Sequence, residues 1–162
     1  MERDADGRLL LVVDRMDILR RLPQFRFHVV NHVRAEIRYE NQRVRLQAAT
    51  AGGGVTEIEI TDRDEILLYD ELRKFLGDGE SASLAVAVSR RWIIAADEKG
   101  RFRREVFNRL GEDYLLDTLG ALLTAIRSGV ITVAHAEALR RTLQAHRCQM
   151  DSTPFDELLR ES

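Results

Sequence analysis

Residues 78–104 read DGESASLAVAVSRRWIIAADEKGRFRR, and this stretch decides the fold class. SASLAVAVSR is small, apolar and helix-prone. WIIAAD is a continuous apolar run of the kind that forms a strand buried on both faces, and GRFRREVFNRLG is helical again. A buried strand between two helices is one repeat of an α/β chain, because parallel neighbours need crossover connections and helices supply them. The same stretch sets acids around its apolar run, with Glu80 before it and Asp97 and Glu98 after it.

The pattern extends in both directions. LLLVVD (Leu9–Asp14) is another buried strand, followed by a helix over Arg15–Arg21 that Pro23 stops, and FRFHVV (Phe25–Val30) is a strand with β-branched and aromatic content. Asn31 is a candidate N-cap for one helix running through HVRAEIRYENQRVRLQAAT, ended by the AGGG turn at residues 51–54. VTEIEIT is a short strand. Thr61 or Asp62 caps a helix over DEILLYDELRKFLG, in which Ile66, Leu67, Leu72 and Phe75 recur at helical spacing, and Gly77 and Gly79 break it. After residues 78–104 come a short strand YLLD and the helix TLGALLTAIRSG, with Gly129 as its left-handed stop. Thr132 caps the helix through VAHAEALRRTLQAHR, and Ser152 and Pro154 open a short C-terminal helix.

The chain of 162 residues, 44% hydrophobic, is long enough for one sizeable core, so a single domain over 1–162 is expected, with residues 1–8 flexible and 152–162 a C-terminal helix. LLLVV and WIIAA are far shorter than the about 20 apolar residues of a membrane span, and MERDADGR lacks the basic start and apolar middle of a secretory signal. The expectation is a soluble, cytoplasmic protein with no membrane partner. Cys148 is the single cysteine and cannot form an internal disulfide. The 25 Lys and Arg nearly balance the 27 Asp and Glu, so net charge neither implies nor excludes a nucleic acid and distribution has to decide.

In an open parallel sheet, ligands bind outside the carboxyl ends of the strands. Asp14 ends the first strand, Asp97 and Glu98 end the fourth, Glu36 lies one turn into the helix after the second, and Glu80 opens the helix leading to the fourth. Carboxylates sharing a pocket repel one another, and a divalent cation removes the conflict; oxygen ligands without a His or Cys cluster favour Mg²⁺ or Mn²⁺. Such a site suits phosphodiester hydrolysis, and Arg34, Arg38, Lys99 and Arg101, with Arg103 and Arg104 beyond, are placed to grip phosphate. AGGG and LGDGE lack the Lys-Ser/Thr of a P-loop, and His28, His32, His135 and His146 show no paired metal spacing.

The order LLLVVDRMDIL, VRAEI, LGDGESASLAVAVSRRWIIAADEKGRFRR and DTLGALLTAIRSGVIT resembles the PIN domain, in particular the small prokaryotic group related to VapC-type toxins, from about Leu9 to the C-terminus. The resemblance implies a three-layer α/β/α sandwich with a mainly parallel central sheet and a Mg²⁺- or Mn²⁺-dependent ribonuclease, with frequent homodimers and often a protein antitoxin. Matched by position, the family's four acids fall on Asp14, Glu36, Glu80 and Asp97, with Glu98 an alternative for the last. The chain departs from the family at Arg15, where a small or hydroxyl residue is usual and where a bulky cation could pair with the acids and occupy the metal's place.

Other readings stand beside this one. Asp14 and Glu80 are also helix-start acids, Glu36 a solvated helix residue and Asp97 an N-cap for GRFRREVF. A PIN-like domain without catalysis would serve as a binding or assembly module. LGALLTAIRSGVITVAHAEALRRTL could form a helix-turn-helix reading DNA through Arg140 and Arg141, although Val133, Ala134, Ala138, Leu139 and Leu143 form a packing face.

Overall fold

The computed structural model describes residues 5–7, 22, 24–145 and 151–160. The expected strand Leu9–Asp14 and the helix Arg15–Arg21, with Asp14 and Arg15, lie outside the described residues, as do His146 and Cys148.

Strand β1 (Ala5–Gly7) falls in the stretch expected to be flexible and occupies the middle of the sheet. It is followed by β2 (Phe27–Val30), α1 (Asn31–Glu36), α2 (Glu40–Ala51), β3 (Thr56–Ile58), α3 (Arg63–Leu72) and α4 (Asp78–Arg90). Then come β4 (Ile93–Ala95), α5 (Arg101–Arg109), a 3-10 turn at Glu112–Tyr114, β5 (Leu115–Leu116), α6 (Thr118–Arg127), α7 (Val133–Ala145) and α8 (Phe155–Leu158). The strands form one five-stranded sheet in the order β3-β2-β1-β4-β5. Every pairing is parallel: Ala5 faces Phe27 and Ile93, Val30 faces Ile58, and Ala95 faces Leu116. The chain builds outward from β1 through β2 to β3 and then returns to the other side of β1 to lay down β4 and β5. The direction of winding reverses between β1 and β4, the position at which open parallel sheets form their ligand crevice.

Helix α4 is the element that positions the site. Its residues Ser81 to Ala87 are buried all round, and it packs against α1, α3, α5, β2 and β4. A helix with no polar face must lie inside the molecule, and its run of Gly, Ser and Ala lets neighbours approach closely. Arg91 closes it in the left-handed conformation, φ 58°, and turns the chain into β4. Leu72, Leu84, Ile94, Phe102 and Val106 pack in one cluster, while Val29, Val33, Leu46, Ile93, Leu122 and Phe155 pack in another.

Four local expectations are corrected. The single helix after Asn31 is two, α1 and α2, separated by extended backbone at Ile37 and Tyr39. Val33 and Leu46 are both buried yet would lie about 140° apart around a continuous helix, nearly on opposite faces, so one straight rod at the surface could not put both in the core. Asn31 is not the N-cap of α1: pairing with β3 keeps β2 extended through Val30, which takes that position and leaves Asn31 in the first turn. On α3, Ile66 and Leu67 are 44% and 57% exposed, because the buried face runs through Glu65, Leu68, Tyr69 and Leu72. On α7 the packing face is Ala136, Leu139, Arg140 and Leu143, and Ala134 and Ala138 are exposed.

The expected stops and caps at Asp62, Gly129 and Thr132 are present. Asp62 accepts from the Asp64 N–H at 2.8 Å, Gly129 has φ 69°, and Thr132 Oγ1 accepts from the His135 N–H at 3.2 Å. Among the described residues no helix is long and apolar enough to cross a membrane.

Candidate functional site

The amino end of α4 gathers two of the acids. Glu36, the last residue of α1 and exposed, reaches across so that its Oε1 accepts the Gly79 N–H at 2.9 Å. Glu80, three residues into the helix start, folds back so that its Oε2 accepts the Gly77 N–H at 3.0 Å. These are two of the backbone donors that the start of any helix leaves without intrahelical partners, and the positive end of the helix dipole faces the carboxylates. Both side chains crowd the same spot. Glu36 Oε1 and Glu80 Oε2 each lie 3.5 Å from where a Cβ on Gly77 would stand, so the two oxygens are separated by at most twice that distance.

Glycine is required for this approach. A Cβ on Gly79 would stand 2.5 Å from Glu36 Oε2, 3.0 Å from its Cδ and 3.3 Å from the Val33 Cα. A substituent there would push the Glu36 carboxylate off the helix.

Asp97 follows β4 and is exposed, but it is not the N-cap of α5: that helix starts after Gly100, φ 70°, with no side-chain cap. Asp97 instead serves α6. Its Oδ1 accepts the Thr118 N–H at 2.9 Å and its Oδ2 accepts the Thr118 hydroxyl at 2.6 Å. Thr118 is buried, and the adjacent Asp117 caps the same helix by accepting the Gly120 N–H at 2.8 Å. Two donors from one buried residue fix both carboxylate oxygens of Asp97.

The other candidates are placed as follows. Glu98 and Lys99 are exposed in the loop after β4, and Arg38 is exposed between α1 and α2. Arg34 is paired with Glu57 at 2.7 Å, which ties α1 to β3. Arg101, at the start of α5, lies over the Phe75 ring with its guanidinium carbon 5.3 Å from the centroid. That contact brings the loop carrying Asp97 beside the α3–α4 connection that carries Gly77. His32 packs against Tyr69 and His28 stacks on Trp92, ring centroids 4.9 and 4.5 Å apart. Burial, then the neighbouring Asp78 carboxylate, pushes the Tyr69 phenol above its usual range.

Among the described residues no three His, Cys, Asp or Glu side chains gather closely enough to hold a metal ion. Of the expected acids, Glu36 and Glu80 both bond backbone at the start of α4, and Asp97 bonds Thr118 at the start of α6. Sequence reasoning missed Thr118, whose only trace is its position beside a helix-capping aspartate. It also missed the role of Gly77 and Gly79 as carboxylate anchors, since a Gly-x-Gly pair before a helix reads first as a breaker.

Family models, curated proteins and solved structures were all compared with the chain, and none matches.

Proposed function

We infer that the protein is a metal-dependent ribonuclease of PIN type with a three-layer α/β/α architecture, acting on RNA phosphodiesters. The observation that carries this reading is the convergence of Glu36 and Glu80, remote in sequence, on the first backbone N–H groups of one buried helix. The winding reversal beside β4 supports it, because Asp97 follows the carboxyl end of that strand. So does the division of strand residues between clusters: Val29 and Ile93 enter one, Ile94 another and Val30 a third, as in a sheet covered on both faces.

The donor set is all carboxylate oxygen, which fits a hard divalent cation, Mg²⁺ or Mn²⁺. Glu36 and Glu80 are the acids that already stand together, and Asp97, with Asp14 and with Glu98 as an alternative, would have to close on that pair to complete its ligand set. Such an ion would supply Lewis-acid stabilisation of charge on the phosphate and a water more acidic than bulk. The chain's own contribution is positional. Gly77 and Gly79 offset the repulsion between two adjacent carboxylates by facing N–H dipoles toward them, and Thr118 fixes the plane of the Asp97 carboxylate. Lys99, Arg101 and Arg38 would draw the strand in. As the toxin of a pair, the protein would offer exposed apolar side chains, Tyr39, Val44, Ile66 and Leu67, to an antitoxin or to a second copy of itself.

One set of contacts favours a second reading, a binding or assembly module without catalysis. The same hydrogen bonds make Glu36 and Glu80 helix-capping groups that are satisfied with no cation. The helix-turn-helix reading gains no such support, because Arg140 is turned inward to hold the C-terminal segment.

Purified protein incubated with mixed-sequence single-stranded RNA in Mn²⁺ or Mg²⁺ separates the first two. Cleavage that EDTA abolishes, and that Glu36→Gln and Asp97→Asn each abolish, is the expected result. Intact RNA from folded protein at millimolar Mn²⁺, in the absence of any antitoxin, would leave the non-catalytic module.

A further inference from the structure

Six arginines among the described residues lie over aromatic rings, and their positions differ in what they leave available. Arg90, over Trp92, is committed to the buried Glu65, and Arg140, over Phe155, is buried. Arg103, over Phe107, lies along its own helix one turn away. Arg91, over Tyr114, stands at the carboxyl end of α4, about 20 Å of helix from the acids at 1.5 Å per residue. Arg73 and Arg101 are the two at the acid end.

Arg73 lies over Tyr69, 5.4 Å from the ring centroid, and approaches the Asp78 carboxylate at 3.9 Å. Asp78 is the neighbour of Gly79, the residue that holds Glu36. Arg101 lies over Phe75, two residues before Gly77, and makes no ion pair among the described residues. Both arginines are exposed, Arg73 within the α3–α4 connection and Arg101 over Phe75 of that connection. A guanidinium lying on a ring is restrained in orientation and shielded on one face, while its edge keeps N–H donors for phosphate and its outer face can stack a base. The exposed contact between Arg73 and Asp78 is at the limit of ion-pair distance and is worth little against a phosphate.

We propose that Arg73 and Arg101, laid on Tyr69 and Phe75, form a ledge that binds single-stranded RNA beside the Glu36–Glu80 pair, their edges taking phosphates and their outer faces taking bases. This rests on the ribonuclease reading for its substrate, and it adds Arg73 while giving Arg101 a defined mode of contact. Arg91 is the matched control, since it has the same chemistry at the opposite end of the same helix.

The test is the binding of a fluorescently labelled single-stranded RNA by anisotropy in EDTA, over a series of salt concentrations, so that binding is read without cleavage. The double variant Arg73→Gln/Arg101→Gln is expected to bind on the order of tenfold more weakly, with the salt slope reduced by about 0.7 for each phosphate no longer neutralised. Arg91→Gln should bind as the parent does. Arg101→Lys should keep the salt slope and still bind more weakly, because lysine retains the charge without the planar face. Equal weakening by Arg91→Gln, an unaffected double variant, or a parent protein that binds no RNA would each overturn the ledge. Retained binding with no cleavage in Mn²⁺ would instead sink the ribonuclease reading alone. A circular-dichroism melt of each variant checks folding, which substitution of two exposed side chains should leave intact.

Discussion

Single atoms at Gly79 and Thr118 set where the Glu36 and Asp97 carboxylates lie. A methyl group on Gly79 collides with the far end of the Glu36 side chain, which can swing away, while the helix gains up to about 1 kcal/mol from replacing glycine. Gly79→Ala is therefore expected to leave the melting temperature within a few degrees of the parent and, on the proposed ribonuclease reading, to abolish most metal-dependent cleavage. A large loss of stability would mean that the 3.3 Å approach to the Val33 backbone dominates. Thr118 presents a different balance, because its hydroxyl and its N–H act together on Asp97. Thr118→Val keeps shape and N–H but removes the hydroxyl, and, if Asp97 belongs to the proposed metal site, should lower Mn²⁺ affinity by about 10- to 100-fold in calorimetry, whereas Thr118→Ser should retain it. Thr118→Ser behaving like Thr118→Val would show that the β-methyl packing, not the hydroxyl, matters. Neither residue stands out in the sequence. A glycine that makes room and a threonine that orients an acid are both defined by a partner tens of residues away, and no periodicity records that partner.

Pairs of helices carry the stability that holds the site. Glu65, 1% exposed on α3, is gripped by Arg90 at the end of α4 through bonds of 2.6 and 3.2 Å, and its Oε2 also lies 3.4 Å from the Thr61 N–H. Removing one partner strands a buried charge. Arg90→Met should destabilise the protein by about 3–5 kcal/mol in urea unfolding, toward the lower end because Arg90 itself is partly exposed, and adding Glu65→Leu should recover most of the loss. A double variant no better than the single one would place the cost in the packing of the Arg90 stem on Trp92. This pair explains why helical spacing misplaces the buried face of α3. An acid occupies the position where that spacing calls for an apolar residue, and Ile66 and Leu67 beside it offer a hydrophobic stripe that faces outward. The caps at Asp62 and Thr132 and the stop at Gly129 are legible in the sequence, since each acts within a few residues of itself.

Across the whole molecule, the buried Arg140 side chain helps to fasten the C-terminal segment, beside Phe155 in the core and its N–H bond to Glu137. Arg140 donates to the carbonyls of Asp151 and Thr153 at 3.2 and 2.5 Å and to Glu137 at 2.6 Å, and Phe155 lies against it. Arg140→Met should release residues 151–158, read as faster amide exchange there with α4 unchanged. Asp151 adds a pH dependence. The Thr153 N–H and hydroxyl, both 2.9 Å from its Oδ1, hold its carboxyl below the usual value, with Arg140 a smaller contribution. A carboxyl depressed on folding stabilises above its unfolded value of about 3.9, and that contribution fades as pH falls through the lower folded value. Exchange at Thr153 should accordingly rise as the solution is taken below about pH 4, and Asp151→Asn should remove that step. From Phe25 onward the sequence by itself determined the alternation of helices and strands, hence parallel pairing, because hydrophobic period, caps and glycine stops are set by neighbours within one element, whereas the central strand Ala5–Gly7 was not legible in it. Only the tertiary structure decided the strand order, the break between α1 and α2, and the meeting of Glu36 with Glu80 at the start of α4. Those depend on which buried faces fit together across the chain, and a carboxylate finds its backbone donor only after the helices have packed.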